Sequence, residues 1–252
     1  MKKYGLLGKT LGHSVSDIIH NYVFEKMLID AKYELIECEI EKLEYYIEAL
    51  KEGKFQGFNV TIPYKKEIMK YLDFIDDKAK SIGSVNTIYL NHGKVYGTNT
   101  DYDGFLGTLN LYNIDVKDKD CYVLGTGGAS LAVSKVLTDL LGNVIFVSRT
   151  PKLGNISYDQ LKDRNIDVLI NTTPVGMYPN IDDMPVDVDI ISRCDVVIDI
   201  IANPKQTKLL QCANSRINGL YMLIIQALKA EEIWQEREIN LNIEEIVQLL
   251  SK

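Results

Sequence analysis

The stretch that most constrains this chain runs from Tyr122 to Ala132, Tyr-Val-Leu-Gly-Thr-Gly-Gly-Ala-Ser-Leu-Ala. Tyr122-Val123-Leu124 is a short apolar run that predicts a buried strand, and Gly125, Gly127 and Gly128 follow at once. Leu131, Val133, Val136, Leu137 and Leu140 then recur at helical spacing, which predicts a helix over 129–141. Strand, glycine turn and helix is the context in which such glycines bind a dinucleotide. The first glycine permits the tight turn, and the next ones let the backbone approach a pyrophosphate. The helix start adds N–H groups and a partial positive charge. The spacing is Gly-x-Gly-Gly rather than the full six-residue fingerprint, and an ordinary strand-to-helix turn is the plain alternative.

The next strand narrows the choice. Val144-Ile145-Phe146-Val147 predicts a strand over 143–147, and its end reads Ser148-Arg149-Thr150, with Lys152 close behind. An NAD site usually carries Asp or Glu there, to bind the ribose 2′-hydroxyl. A guanidinium and two hydroxyls suit a 2′-phosphate instead, because Arg binds phosphate oxygens in a bidentate fork. Glycine turn and basic strand end together favour NADP, against a solvated loop arginine.

The chain has 252 residues, enough for one or two domains, and its 46% hydrophobic and 25% charged content is that of an ordinary globular protein. A net charge of −7 argues against a nucleic-acid surface as the main function. Cys38, Cys121, Cys194 and Cys212 are far apart and read as reduced, buried thiols of a cytosolic protein. Met1-Lys2-Lys3 leads straight into Tyr4-Gly5-Leu6-Leu7-Gly8, too short for a signal segment, and no apolar run approaches a membrane span.

From the start, a strand over 3–7 ends at Gly8, and a polar turn through His13, Ser14 and Ser16 leads into a helix carrying Ile18, Ile19, Tyr22, Val23 and Met27. Either serine suits the N-cap, and two hydroxyls beside a helix start would also hold a carboxylate. His13 and His20 read as structural rather than metal-binding, and no metal site is expected. Strands are expected over 32–40 and 55–62, with a helix over 43–50 between them that stops near Gly53. Pro63 suits a first helical position, which puts Lys65 and Lys66 in a first turn where the dipole disfavours cations. Lys66 reads as solvated. Lys65 reads as a lysine whose pKa is lowered so that it can accept a proton. A helix over 73–82, a hairpin across Asn91-His92-Gly93-Lys94, and a helix over 102–112 follow. Asp101 would cap that last helix, although Thr100 could do so instead. Strands over 167–171 and 195–201 flank the polar loop Asn171-Thr172-Thr173-Pro174-Val175-Gly176-Met177, at the ligand edge of an α/β sheet. A short helix over 207–214 precedes a long apolar helix over 220–234. It carries Gln226, which needs a partner if buried, and a short amphipathic helix over 242–250 ends the chain. Strands alternating with helices predict a largely parallel α/β architecture.

Seven blocks in order resemble the shikimate dehydrogenase family along nearly the whole chain: Gly12-His13-Ser14-Val15-Ser16; Asn59-Val60-Thr61-Ile62-Pro63-Tyr64-Lys65; Gly83-Ser84-Val85-Asn86-Thr87; Gly97-Thr98-Asn99-Thr100-Asp101; Gly125-Thr126-Gly127-Gly128; Ser148-Arg149-Thr150; and Asn171 to Met177. Met222-Leu223-Ile224-Ile225-Gln226-Ala227 is a looser eighth. The resemblance implies two α/β domains with a cleft between them. Residues 1–100 plus 219–252 would be the substrate domain, and 101–218 a Rossmann-like parallel-sheet NADP domain. It implies reversible NADP-linked oxidation of shikimate to 3-dehydroshikimate, on the chorismate route to aromatic amino acids. Lys65 would be general base in oxidation and acid in reduction, with Asp101 orienting it. Ser14 and Ser16 would bind the substrate carboxylate; Thr61, Asn86 and Gln226 would bind hydroxyls. Cofactor contacts are expected at Gly125, Thr126, Gly127, Gly128, Ala129, Ser148, Arg149, Thr150, Thr172 and Met177. The expected partner is a small molecule, with no nucleic acid or membrane, and the working form a monomer or homodimer.

Three positions depart from the family's common pattern. Asp17 stands where Pro is frequent, Ala202 where Tyr is frequent, and Tyr221 where Gly is frequent. Asp17 puts a charge near the expected carboxylate site, and the other two alter expected substrate or nicotinamide contacts. A quinate-directed enzyme and a non-catalytic NADP or metabolite sensor remain as alternative readings.

Overall fold

Short apolar runs become strands wherever turn residues bound them, and the computed structural model, which describes residues 1–250, assembles these strands into two sheets. The chain opens with β1 (Lys2–Gly8), α1 (Ser16–Lys26), β2 (Ala31–Glu37), α2 (Leu43–Lys51) and β3 (Gly57–Val60). β4 (Phe74–Ile75), α3 (Asp77–Ile82), β5 (Thr87–Asn91), β6 (Lys94–Thr98) and α4 (Asp101–Leu111) follow. Then come β7 (Asp120–Leu124), α5 (Gly128–Asp139), β8 (Asn143–Val147), α6 (Tyr158–Leu161), β9 (Ile166–Asn171), α7 (Val188–Ile191), β10 (Cys194–Asp199), α8 (Lys208–Gln211) and β11 (Arg216–Ile217). The long helix α9 (Leu220–Gln235) and the short α10 (Ile243–Leu249) complete the described chain. Two compact units result. One holds Met1–Gly104 and the chain from Leu223 on; the other holds Phe105–Met222.

The first unit has a mixed six-stranded sheet of order β2-β1-β3-β5-β6-β4. β1 runs parallel to β2 and β3, while β5 runs antiparallel to both β3 and β6. His92 and Gly93 both have positive φ, which gives the β5–β6 hairpin a turn whose twist suits the strands. In α2 the spacing of Leu43, Ile47 and Leu50 puts all three in a core with Phe58, Val60 and Ile88. On the other face Trp234 of α9 packs with Tyr4 and Phe24 and donates its indole N–H to the Ile88 carbonyl at 3.2 Å. Gly57 is required beneath it, since a Cβ there would lie 2.3 Å from the indole nitrogen.

The second unit has a parallel five-stranded sheet of order β11-β10-β9-β7-β8. β7 and β9 are buried along most of their length, as a parallel sheet covered on both faces requires.

Two expected elements differ. The segment 73–82 is not one helix. Asp76 accepts the Ala79 N–H at 2.7 Å and so caps α3. The preceding Phe74–Ile75 pairs with β6 as a strand. Pro63 does not start a helix either. It follows Ile62 through a cis peptide bond, residues 63–66 form turns, and a 3-10 helix begins only at Glu67. The helix-dipole argument for Lys65 therefore has no helix behind it.

Sheet direction gathers chain segments. Register pairs Leu7 with Val60, Asn59 with Thr87, and Thr87 with Thr98. The carboxyl ends of β1, β3 and β6 and the amino end of β5 thus lie on one edge of the first sheet. The segments holding Ser14, Thr61, Asn86 and Asp101 all leave from that edge.

Candidate active site

Lys65 and Asp101 meet at this edge. Tyr64 anchors the turn, being buried with its hydroxyl donating to the Cys38 carbonyl at 2.6 Å. The Lys65 carbonyl accepts the Val85 N–H at 2.8 Å, which fixes the lysine beside the segment leading into β5. Its Nζ then donates to Asp101 Oδ2 at 2.6 Å, with the two side chains only 11% and 8% exposed. Asp101 is the first residue of α4 rather than its cap, and Asn99 Oδ1 accepts the Tyr102 N–H instead. Its other oxygen, Oδ1, accepts Asn86 Nδ2 at 2.9 Å. Asn86 is itself held by the Thr100 N–H, donated to its Oδ1 at 2.7 Å. A cation, an anion and an amide are thus locked together where little water reaches.

Of the other expected substrate residues, Gln226 reaches Asn86, while Thr61, Ser14 and Ser16 follow strands that end at the same sheet edge. Gln226 is 9% exposed on α9; its Nε2 donates to the Leu223 carbonyl at 2.8 Å and its Oε1 lies 3.5 Å from Asn86 Nδ2. The partner that a buried Gln needs is therefore its own helix, and its oxygen turns toward Asn86. Thr61 is half-buried directly after β3. Ser14 and Ser16 form a separate pair after β1, with Oγ–Oγ 3.1 Å and the Ser16 N–H donated to Ser14 Oγ. Neither serine is the cap of α1; Val15 occupies that position without a side-chain bond.

In the second unit, β7 ends at Leu124 and Gly125 turns the chain at φ +99°, where an added Cβ would press on Thr172 and Thr173. Gly127 caps α5, no side chain closes that end, and a Cβ on Gly127 would meet nothing within 4 Å. Open space above a twelve-residue helix start, with no acid in its first turn, is a cradle for phosphate. Thr126 is exposed, Gly128 and Ala129 form the first turn, and β8 is followed by Ser148, Arg149 and Thr150, of which Arg149 and Thr150 are exposed. The donor set fits an NADP pyrophosphate and a 2′-phosphate. Thr172 is nearly buried, its hydroxyl donating to the Leu124 carbonyl at 2.6 Å, so it ties β9 to the glycine turn. Met177 is 39% exposed at the far end of the same loop.

That loop depends on a residue the sequence reading passed over. Asp199 ends β10 and is fully buried. It accepts from Thr207 Oγ1 at 2.6 Å, Asn171 Nδ2 at 3.1 Å and the Ile201 N–H at 3.1 Å. Asn171 Oδ1 in turn accepts from the N–H and hydroxyl of Thr173. With no cation beside it, burial pushes the Asp199 carboxyl up to about 6, against three hydrogen bonds that favour the anion. An acid inside the apolar run Val196 to Ile201 was the available signal, by the reasoning applied to Gln226.

Of the three departures, Tyr221 packs edge-on against Tyr112, with ring centroids 5.7 Å apart. Ala202 is half-buried after β10, and Asp17 is half-buried in the first turn of α1.

The family model for the shikimate dehydrogenase substrate binding domain matches residues 6–88. A shikimate dehydrogenase (NADP(+)) of Clostridium beijerinckii is 47% identical, over 95% of this chain and 94% of the relative. The crystal structure of shikimate dehydrogenase 1 from Peptoclostridium difficile is 43% identical with a TM-score of 0.91, covering 98% of this chain and 96% of that one. The Thermus thermophilus shikimate 5-dehydrogenase in complex with NADP(H) and shikimate is 28% identical with a TM-score of 0.87, covering 95% of each chain.

The buried acid gives the loop after β9 a pH signature. The ordinary carboxyl value is 3.8 and the folded value about 6. Folding therefore binds a proton between those values. The stabilisation is fully present below about 4 and is lost as pH rises through about 6. Asn at this position keeps an oxygen acceptor and has no charge to bury. Urea unfolding should therefore show the wild type losing about 2–3 kcal/mol relative to Asp199→Asn between pH 4 and pH 7. A pH-independent difference would mean that Asp199 ionises as freely folded as unfolded.

Proposed function

The chain belongs to the shikimate dehydrogenase family, and we propose that Lys65 and Asp101 are the proton-handling pair of its reaction. It is an NADP-dependent oxidoreductase acting on a CH–OH group, and it interconverts 3-dehydroshikimate and shikimate reversibly. The observation that carries the residue assignment is the 2.6 Å bond between the two side chains, at an edge that also gathers Asn86 and Gln226.

In the reductive direction the carbonyl oxygen gains negative charge and needs a proton. Lys65 Nζ has three N–H groups and gives one to Asp101, so another can be donated to that oxygen. Asp101 holds the Lys65 nitrogen in place throughout, and its own orientation comes from Asn86. Lys65 then recovers a proton from solvent, to which it is slightly open. In oxidation the same nitrogen, having first released one proton to solvent, takes the hydroxyl proton. NADPH, when bound, supplies the hydride. Ser14 and Ser16 hold the substrate carboxylate through their hydroxyls, and Thr61, Asn86 and Gln226 hold its hydroxyl groups. A site with polar groups for several hydroxyls rejects analogues that lack them.

Residues 1–100 plus 219–252 take the substrate in this reading, and residues 101–218 take NADP. Backbone around Gly125, Thr126, Gly127, Gly128 and Ala129 approaches the pyrophosphate, while Ser148, Arg149 and Thr150 bind the 2′-phosphate. Thr172 and Met177 contribute from the loop after β9. No described helix is long and apolar enough to cross a membrane. The four cysteines are free thiols, which suits the cytoplasm, although only Cys121 is buried as expected and Cys212 is exposed.

Nicotinamide reduction measured with shikimate or quinate, each with NADP or NAD, should show turnover only with shikimate and NADP. Lys65→Ala should cut that turnover by about 10²–10⁴-fold while shikimate still binds. Unchanged turnover in the variant removes Lys65 from the mechanism. No wild-type turnover in any pairing, with NADP bound, would make the chain a sensor. A second test concerns the cofactor. Arg149→Ala should raise the KM for NADP by about 10–100-fold and leave that for NAD nearly unchanged. Equal losses for both would refute the phosphate role.

A further inference from the structure

Behind the Lys65–Asp101 pair lies a chain of buried polar side chains that the reaction does not touch. Asn59 on β3 is 4% exposed, and every polar atom of its side chain is engaged. Its Nδ2 donates to the Asn86 carbonyl at 3.2 Å and to Thr87 Oγ1 at 3.0 Å. Its Oδ1 accepts the Tyr33 hydroxyl at 2.8 Å. Tyr33 is 1% exposed, and its ring lies flat on that of His20, with centroids 4.0 Å apart and planes within 2°. His20 is held in turn by Glu231, Nδ1 to Oε1 2.6 Å, both fully buried.

Backbone groups, which can only donate or only accept, fix the two amides of this chain. A backbone carbonyl only accepts, so Asn86 O forces Asn59 to present its nitrogen there and its oxygen to Tyr33. Tyr33 must then donate. Burial pushes its phenol well above the ordinary 10, with the Glu231 and Asp17 carboxylates adding to the shift, so it keeps that proton at any working pH. Thr87 Oγ1 accepts from Asn59, so its one proton goes onward to Asn86 Oδ1 at 3.1 Å or Thr100 Oγ1 at 3.1 Å. Asn86 Oδ1 is already an acceptor for the Thr100 N–H. The nitrogen of Asn86 must therefore face Asp101, whose carboxylate accepts it and turns its second oxygen to Lys65.

We propose that Asn59, aimed by Tyr33, is a positioning residue for the reaction: through the Asn86 carbonyl and the Thr87 hydroxyl it holds in place the Asn86 amide, whose polarity the Thr100 N–H fixes, and through that amide the orientation of Asp101 beside Lys65. The inference rests on the proton-handling role given to that pair. It adds a direction to the network, and direction is what a substitution can reverse. Asp at 59 has the same shape but no N–H, so it sets an acceptor against the Asn86 carbonyl and Thr87. Ala at 59 only removes the group, and creates the larger void.

The test compares Asn59→Asp, Asn59→Ala and Tyr33→Phe in the full chain. The readouts are kcat and KM for shikimate at saturating NADP, the dissociation constant for NADP, and the thermal midpoint. Polarity control is expected to make the isosteric change the worse one for rate. Asn59→Asp should lower kcat by about 100-fold or more and Asn59→Ala by about tenfold. NADP affinity should stay within twofold in both, since its binding residues lie elsewhere. Tyr33→Phe deletes one oxygen and serves if the Asp variant does not fold. It should lower kcat about fivefold with shikimate KM within about twofold. The proposal is overturned if kcat in these variants stays within twofold of wild type. It is equally overturned if the loss follows the thermal midpoint, with Ala slower than Asp. An inactive wild type would strike at the reaction itself; an active wild type with an inactive Lys65→Ala and indifferent residues 33 and 59 would strike at this inference alone.

Discussion

The first unit is arranged around one carboxylate whose two oxygens have different partners. Asp101 Oδ2 takes the Lys65 ammonium and Oδ1 takes the Asn86 amide. A pair so little exposed is weak evidence of stability, because desolvation offsets most of the Coulomb attraction. What it supplies in the proposed reaction is a fixed direction for the proton donor. The sheet makes the meeting possible. Lys65 follows β3, Asn86 precedes β5 and Asp101 follows β6, and the antiparallel β3–β5–β6 pairing returns all three to one edge. A shift of one residue in that register would turn Asn59 and Thr87 to the other face of the sheet and break the network.

The second unit holds a carboxylate of opposite character. Asp199 is more deeply buried than Asp101, and it faces an amide, a hydroxyl and a backbone N–H and no cation. Without an opposite charge, burial prevails and its carboxyl rises to about 6. One acid orients a neighbouring cation; the other ties a loop to a strand end. Through Asn171 it fixes Thr173, and Thr173 with Thr172 closes over Gly125, where no side chain fits. The two kinds of binding edge thus rest on the same residue type in two electrostatic settings.

Much of the fold was legible because its signals are local. The β7–Gly125–α5 unit follows from an apolar run, three glycines and a helical repeat, and the strand expected over 143–147 has those bounds in the structure. The misreadings arose where a local rule had a tertiary competitor. Pro63 fits a helix start in isolation, but here it leads into a turn. Asp73 to Ile82 has helical composition, yet Phe74 and Ile75 pair with β6. In the candidate site, Lys65 drew attention through its proline turn and Gln226 through its apolar surroundings. Asn59, Tyr33 and Asp199 did not, because their meaning lies in partners 26 to 28 positions away. Sequence spacing carries no record of which buried amide faces which carbonyl. The polarity of that network could be read only from the assembled sheet.

The central claim is that Lys65 and Asp101 act as one proton-handling unit. A double-mutant cycle on kcat, with Lys65→Ala, Asp101→Ala and the double variant assayed with shikimate and NADP, tests it most directly. The account expects the double variant to be no slower than the worse single one, within about threefold, because either change already removes the unit. Losses that multiply would show two residues acting independently, and would contradict it.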